Sequence, residues 1–180
     1  LMIGGLAGIA NELLDRQFLK YLLPENIWQA QVGIYGAVYK LSIFLVLFNQ
    51  AFRYAAEPFF FSTQKEDNAK ETYAIVLRYF VFVMVIGLVF IWAYIDLFKH
   101  FIDEKFWEGL YILPILLVAN IMLGINLNIS IWYKLIDKTQ FGIIVTGIGL
   151  VFTIVLNMLL IPKIGYEGAA WATLVSYAAM

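Results

Sequence analysis

Five long apolar stretches, separated by short charged loops, occupy most of this 180-residue chain, and several of them contain charged residues. The clearest is Tyr35–Phe61, in which Lys40, Arg53 and Glu57 lie among Leu, Ile, Phe, Ala and Val. About 20 consecutive apolar residues allow a helix to cross the roughly 30 Å hydrocarbon core of a bilayer. A charge at that depth costs at least about 2.5 kcal/mol, so it normally faces a polar cavity or a partner. The pattern predicts a helical bundle around a pathway rather than a simple anchor.

The composition argues against a water-soluble domain and against several classes of function. Hydrophobic residues make up 63% of the chain and charged residues 14%, whereas soluble domains average about 45–50% and about 25%. The net charge of −1 provides no basic field for nucleic acid. The chain has no Cys and one His, which argues against disulfides, thiolate metal sites and zinc. We therefore predict no cofactor and no metal.

Hydropathy and turn residues predict an all-α fold, a polytopic transmembrane bundle of about six helices that forms one domain over residues 1–180. The complete spans are predicted at Gly33–Phe61, Tyr73–Leu97, Gly109–Tyr133 and Gln140–Ile161, with partial spans at Leu1–Leu14 and from Ala169 onwards. Pro58 is expected to kink or end the second span, and Pro162 to end the fifth. Both termini lie within apolar runs, so we expect an internal fragment of a longer protein.

A polar stripe on the second span is the first candidate site. Asn49, Arg53 and Glu57 recur four residues apart, and Gln50 lies beside them. In the functional interpretation this stripe lines a wet cavity, where Arg53 contacts an anionic substrate such as a diphosphate lipid and Glu57 pairs with it or takes up a proton. In the structural interpretation, Arg53 and Glu57 simply neutralise each other near the membrane surface.

Further ionisable side chains have similar pairs of interpretations. Lys40 either attracts substrate or, as we favour, extends its flexible stem to the interface. Glu12, Asp15 and Arg16 form either a coupling-ion site or, as we favour, a local ion-pair cluster. The amide of Asn157 is expected to form a hydrogen bond with a neighbouring helix.

Several segments together resemble the bacterial polysaccharide flippases of the lipid-linked oligosaccharide, O-antigen type. The segments are Gly36–Leu41 leading to Gln50–Phe61, then Asn11–Arg16, and Ile161-Pro162 followed by Ile164–Thr173. That family belongs to the multidrug, oligosaccharidyl-lipid and polysaccharide exporter superfamily, together with the multidrug and toxic-compound extrusion antiporters and the lipid II flippase.

The resemblance implies a transporter with two lobes of helices around a central cavity, of which this chain looks like the second lobe. The implied activity is translocation of undecaprenyl-diphosphate-linked oligosaccharide across the bacterial cytoplasmic membrane, for biosynthesis of polysaccharides such as lipopolysaccharide. Arg53 and Lys40 would attract the diphosphate. The implied partners are this substrate, membrane lipid, and the polysaccharide polymerase and glycosyltransferases of the same route.

Three alternatives stay open at this point. A cation-coupled multidrug exporter would need a carboxylate deep within a helix, whereas Glu57 and Asp96 lie near helix ends. A membrane-embedded cell-envelope enzyme would need a histidine or paired carboxylates in a reactive arrangement, and the chain shows no such motif. A scaffold without transport activity would not need Arg53 inside a span. We therefore predict no catalytic residue, and a transporter rather than an enzyme.

Overall fold

Helices form all the regular structure in the part of the chain that the computed structural model describes, residues 13–136, 138 and 140–180. A first helix, α1, covers residues 13–22 of this part. The helices that follow are α2 (Trp28–Thr63), α3 (Ala69–Ala93), the short α4 (Ile95–Phe98), α5 (Leu113–Leu135), α6 (Gln140–Ile164) and α7 (Tyr166–Ala179). Two 3-10 segments, Lys99–Phe101 and Glu104–Ile112, connect α4 to α5. The predicted all-α fold class is confirmed.

Within the described residues, four segments are long and apolar enough to cross a membrane: α2, α3, Glu104–Leu135 and α6. They correspond to the four complete spans that hydropathy predicts, so the chain is a membrane protein. At 14 residues, α7 is shorter than the roughly 20 residues of a complete crossing. The predicted first span, Leu1–Leu14, lies almost entirely outside the described residues.

The core of the bundle is built around α5. Leu113, Leu116 and Leu117 on this helix have no exposed surface, because α2, α3 and α7 pack against it. In contrast, only 17% of the most apolar window is buried in α3 and in α6. Their outer faces are apolar, and lipid tails solvate such faces as well as a protein core does.

Pro58, expected to kink or end the second span, and Pro162, expected to end the fifth, both lie inside a helix. Pro58 is within α2 and Pro162 is within α6, so the helix end predicted at Pro162 is wrong and Pro58 does not end its helix. Proline removes one backbone donor, but inside a bilayer the remaining backbone groups have no water as an alternative partner and stay helical. Near the end of α2, the Tyr73 hydroxyl also donates a hydrogen bond to the Phe60 carbonyl oxygen at 2.9 Å.

A tight turn folds α7 back along α6. Gly165 has a φ of 60°, a conformation that L side chains rarely adopt, and the Tyr166 N–H beside it donates to Gln31 Oε1 of α2 at 2.9 Å. One turn later, a Cβ on Gly168 would lie 2.7 Å from the carbonyl carbon of Leu160. These two glycines therefore allow α6 and α7 to approach closely, which positions their polar side chains side by side.

Candidate functional site

Asp15 of α1 is fully buried, and no other charged residue is buried in the described part of the chain. Its Oδ2 accepts hydrogen bonds from the Tyr35 hydroxyl of α2 at 2.7 Å and from the Thr173 hydroxyl of α7 at 2.6 Å. Its Oδ1 accepts a hydrogen bond from Asn157 Nδ2 of α6, also at 2.7 Å. Four helices therefore meet at one carboxylate.

Local sequence explains why these side chains point inward. On α1, Asp15 lies one turn from Leu19, which has no exposed surface, so the two share the buried face. On α7, Ala169 and Ala172 are also fully buried and let the helix approach its neighbours closely. The hydroxyl of Thr173 can then reach Asp15 because the residues around it are small.

The hydroxyl of Thr173 has two possible acceptors for its hydrogen bond. The Thr173 hydroxyl lies 2.6 Å from Asp15 Oδ2 and 3.0 Å from the Ala169 carbonyl oxygen. A hydroxyl has one proton to donate, so it cannot form both bonds at full strength. The site can therefore adopt two hydrogen-bonding patterns with little movement of heavy atoms.

Two oxygens on α6 remain without a hydrogen-bond partner among the described residues. Asn157 Oδ1 and Thr153 Oγ1 are both buried, and their residues lie one turn apart on the same face of the helix. The described residues contain no group of three His, Cys, Asp or Glu that could hold a metal ion. Carboxylate, amide and hydroxyl oxygens are nonetheless the ligands that hard cations prefer. Asp15 and this face of α6 thus offer the chemistry for a proton or a simple cation.

The sequence favoured a local ion-pair cluster for Asp15. The structure shows that Asp15 also accepts hydrogen bonds from three other helices. Neighbouring Arg16 is half-buried, with its guanidinium against Gly36 of α2. Glu12, the third predicted member, lies outside the described residues. The expectation that Asn157 bonds to a neighbouring helix is confirmed, and its partner is Asp15.

The predicted polar stripe on α2 is used largely for packing against α5. Asn49 is buried and its Nδ2 donates to the Asn120 carbonyl oxygen at 2.9 Å. Lys134 Nζ donates to Glu57 Oε1 at 3.0 Å, and both side chains are largely shielded. The interpretation in which Arg53 and Glu57 neutralise each other is therefore wrong, because Glu57 pairs with Lys134 instead.

Arg53 itself is half-buried, and its guanidinium lies over the ring of exposed Tyr54, 5.4 Å from the centroid. The described residues place no carboxylate in a salt bridge with it. Gln50 and Lys40 are exposed. Thirteen residues separate Lys40 from Arg53, which corresponds to about 20 Å along the helix axis and about 140° around it. The two cations therefore do not share one face of α2, and Lys40 cannot join Arg53 in a single small site.

Sequence reasoning did not identify two members of the hydrogen-bond network around Asp15, namely Tyr35 and Thr173. Tyr35 stands inside an apolar run, where a tyrosine is easily interpreted as an interfacial anchor. Thr173 stands among small residues, which suggest helix packing and nothing more. A usable signal was the combination of Asp15 with Asn157, since two strongly polar side chains in membrane-facing segments favour each other as partners.

The Glu57–Lys134 ion pair can be measured directly. In a double-mutant cycle of Glu57→Gln and Lys134→Met, we expect a coupling free energy of about 1 kcal/mol, since the two groups are in contact and partly shielded from solvent. Unfolding in detergent by denaturant titration would measure it. A matched cycle on Asp103 and Lys105, which are paired but well exposed, should give a smaller value. If the effects of Glu57→Gln and Lys134→Met on the free energy of unfolding were additive, this result would contradict the contact between the two side chains.

Comparisons of this chain with protein-family models, with curated proteins and with solved structures find no match.

Proposed function

We propose that this membrane protein is part of a transporter that moves undecaprenyl-diphosphate-linked oligosaccharide across the bacterial cytoplasmic membrane, driven by a cation bound at Asp15. The main support is the buried Asp15 carboxylate, which accepts hydrogen bonds from three other helices. An ionisable group inside a transmembrane bundle is costly, and such groups mark ion pathways and proton relays. The identity of the substrate rests on the sequence resemblance.

The network suits a group that gains and loses a proton or cation. Tyr35, Thr173 and Asn157 all act as donors, which stabilises the ionised form of Asp15. When Asp15 is protonated, its own O–H can donate to Thr173, whose hydroxyl then donates to the Ala169 carbonyl oxygen. Protonation thus changes the contact between α1 and α7 without removing the hydrogen-bond partner of Asp15 or Thr173. Binding that differs between two arrangements of helices shifts the population between them.

Arg53 is the residue proposed to contact the diphosphate. A guanidinium keeps its charge in every environment of a protein and forms paired hydrogen bonds with phosphate oxygens. Among the described residues, Arg53 has an aromatic neighbour and no salt-bridged carboxylate, since Glu57 pairs with Lys134. Gln50 is exposed nearby on the same helix. In this proposal Lys40 serves the membrane interface instead, because helix geometry excludes it from the site of Arg53.

A cation-coupled multidrug exporter is the second candidate, and one observation favours it. That function requires a carboxylate deep within the bundle. The sequence argument against it used Glu57 and Asp96, which lie near helix ends, and treated a coupling site at Asp15 as the less favoured interpretation. The structure supplies Asp15 as such a group. The two candidates therefore share a coupling mechanism and differ in substrate.

Replacing Arg53 with alanine in the full-length protein tests the substrate. We expect about tenfold less surface polysaccharide, because a charge-assisted hydrogen bond contributes about 1.5–3 kcal/mol, with an unchanged amount of protein in the membrane. The measurement is quantitative blotting of surface polysaccharide together with the accumulation of lipid-linked oligosaccharide inside the cell. Arg78→Ala, which removes an exposed arginine of α3, is the matched control. Full polysaccharide production by Arg53→Ala would contradict this role, and gradient-driven efflux of cationic dyes instead would favour the exporter.

A further inference from the structure

A second feature, remote from Asp15, is an apolar groove where the end of α2, the start of α3 and the end of α5 meet. Its volume is about 220 Å³, its walls are mostly apolar, and it opens to the outside of the bundle. Tyr73, Leu77 and Ile131 contribute to these walls, and Lys70 lies at the end of the groove beside the α2–α3 loop. The groove therefore has apolar walls and a positive charge at the end beside the α2–α3 loop. We call this end its mouth.

The ammonium group at the mouth has no direct ion pair among the described residues. Lys70 is exposed, and the salt bridges among the described residues do not include its ammonium group. Trp132, half-exposed near the end of α5, also borders the groove. Lysine and tryptophan together are typical of the level of lipid headgroups at the membrane surface. The mouth thus lies where a headgroup would be, and the groove extends toward the acyl chains.

We propose that this groove binds one acyl chain of an anionic phospholipid from the surrounding bilayer, with the lipid phosphate at Lys70. The ammonium group of Lys70 forms no salt bridge within the described residues, so it is available to pair directly with the phosphate of a negative headgroup. The distance from Lys70 to Leu77 along α3 is about 10 Å, so the groove holds the upper part of one chain below its headgroup. This site lies apart from the proposed coupling site and does not depend on it.

The size of the groove decides against a helix of another protein as its occupant. An α-helix with its side chains is about 10–12 Å across, and pockets that enclose whole drug-sized ligands have volumes of about 300–1,000 Å³. The volume of about 220 Å³ is too small for either. A single hydrocarbon chain is narrow enough, and it is the molecule that surrounds every membrane protein.

Native mass spectrometry of the purified full-length protein, titrated with dioleoyl phosphatidylglycerol or dioleoyl phosphatidylcholine, would test the site. We expect Lys70→Ala to weaken phosphatidylglycerol binding about fivefold, the weight of one basic residue near an anionic surface, with little effect on phosphatidylcholine. Ala74→Phe, which fills the groove from α3, should weaken the binding of both lipids. The matched controls are Lys65→Ala in the neighbouring loop and Ala93→Phe at the far end of α3, and both should bind as the unaltered protein does.

Three results would overturn the proposal. Equal losses for Lys65→Ala and Lys70→Ala would show diffuse attraction to surface charge. Unchanged binding by Ala74→Phe would place the acyl chain outside the groove. Displacement of phosphatidylglycerol by millimolar inorganic phosphate would show that Lys70 recognises a free anion rather than a lipid. Lys70 is exposed, so its replacement leaves the fold intact and the test informative even if Ala74→Phe fails to fold.

Discussion

Replacing Asp15 with asparagine is expected to reduce gradient-driven transport to the background level. Asparagine keeps the size of the side chain, but it cannot ionise, and its NH₂ group would face donors of the network. At least one hydrogen bond of the three from Tyr35, Thr173 and Asn157 would be lost or would have to reverse its direction. A buried donor left unsatisfied costs about 1–3 kcal/mol, so that amount is the upper bound on the loss of stability.

The measurement is uptake into liposomes that contain the full-length protein, with a proton or sodium gradient imposed across the membrane. The gradient that drives uptake identifies the coupling cation. Asp103→Asn is the control, because Asp103 is an exposed carboxylate in the loop before α5, and its replacement should leave transport unchanged. An Asp15→Asn protein that transports with full dependence on the gradient would remove Asp15 from the coupling mechanism.

Replacing Gly168 with alanine is expected to destabilise the bundle by about 3 kcal/mol, at the upper end of typical overpacking costs. The added Cβ would lie 2.7 Å from the Leu160 carbonyl carbon and 2.8 Å from its oxygen. Both atoms belong to the backbone and cannot rotate away, so α7 must move away from α6. Thr173, farther along α7, would then lose its short hydrogen bond to Asp15, and transport should fall as well.

Thermal unfolding in detergent would measure this effect as a fall in midpoint of about 10 °C. Gly147→Ala is the matched control on α6, because a Cβ there meets no atom within 4 Å. That substitution should be neutral or stabilise the helix by up to about 1 kcal/mol. Equal stabilities for the two variants would contradict the close approach of α6 and α7.

The helical spans were predictable because hydropathy and backbone chemistry are local properties. A long apolar run in lipid must satisfy its own N–H and C=O groups, and a helix does so within the segment. The ends of the spans were less predictable. Tyr73–Leu97 was predicted as one span, yet α3 ends at Ala93 and a separate short helix follows. Pro58 lies inside α2, which continues to Thr63, since one missing donor does not outweigh the other hydrogen bonds of the helix.

The candidate sites were less predictable than the spans, because the role of a polar side chain depends on the partner that it contacts. Sequence reasoning correctly selected Asp15, Asn157 and Glu57 as buried or paired groups, but it assigned Asp15 chiefly to local contacts and Glu57 to Arg53. Spacing along one helix identifies neighbours on that helix alone. The true partner of Glu57 is Lys134, 77 residues away.

The amino-acid sequence alone specifies a bundle of membrane-crossing helices with few ionisable groups in its interior. The tertiary structure alone decided that four helices converge on Asp15, whose partners lie 20, 142 and 158 residues away along the chain. The physical reason is that burial in lipid depends on each segment separately, whereas a hydrogen-bond network depends on how the segments pack.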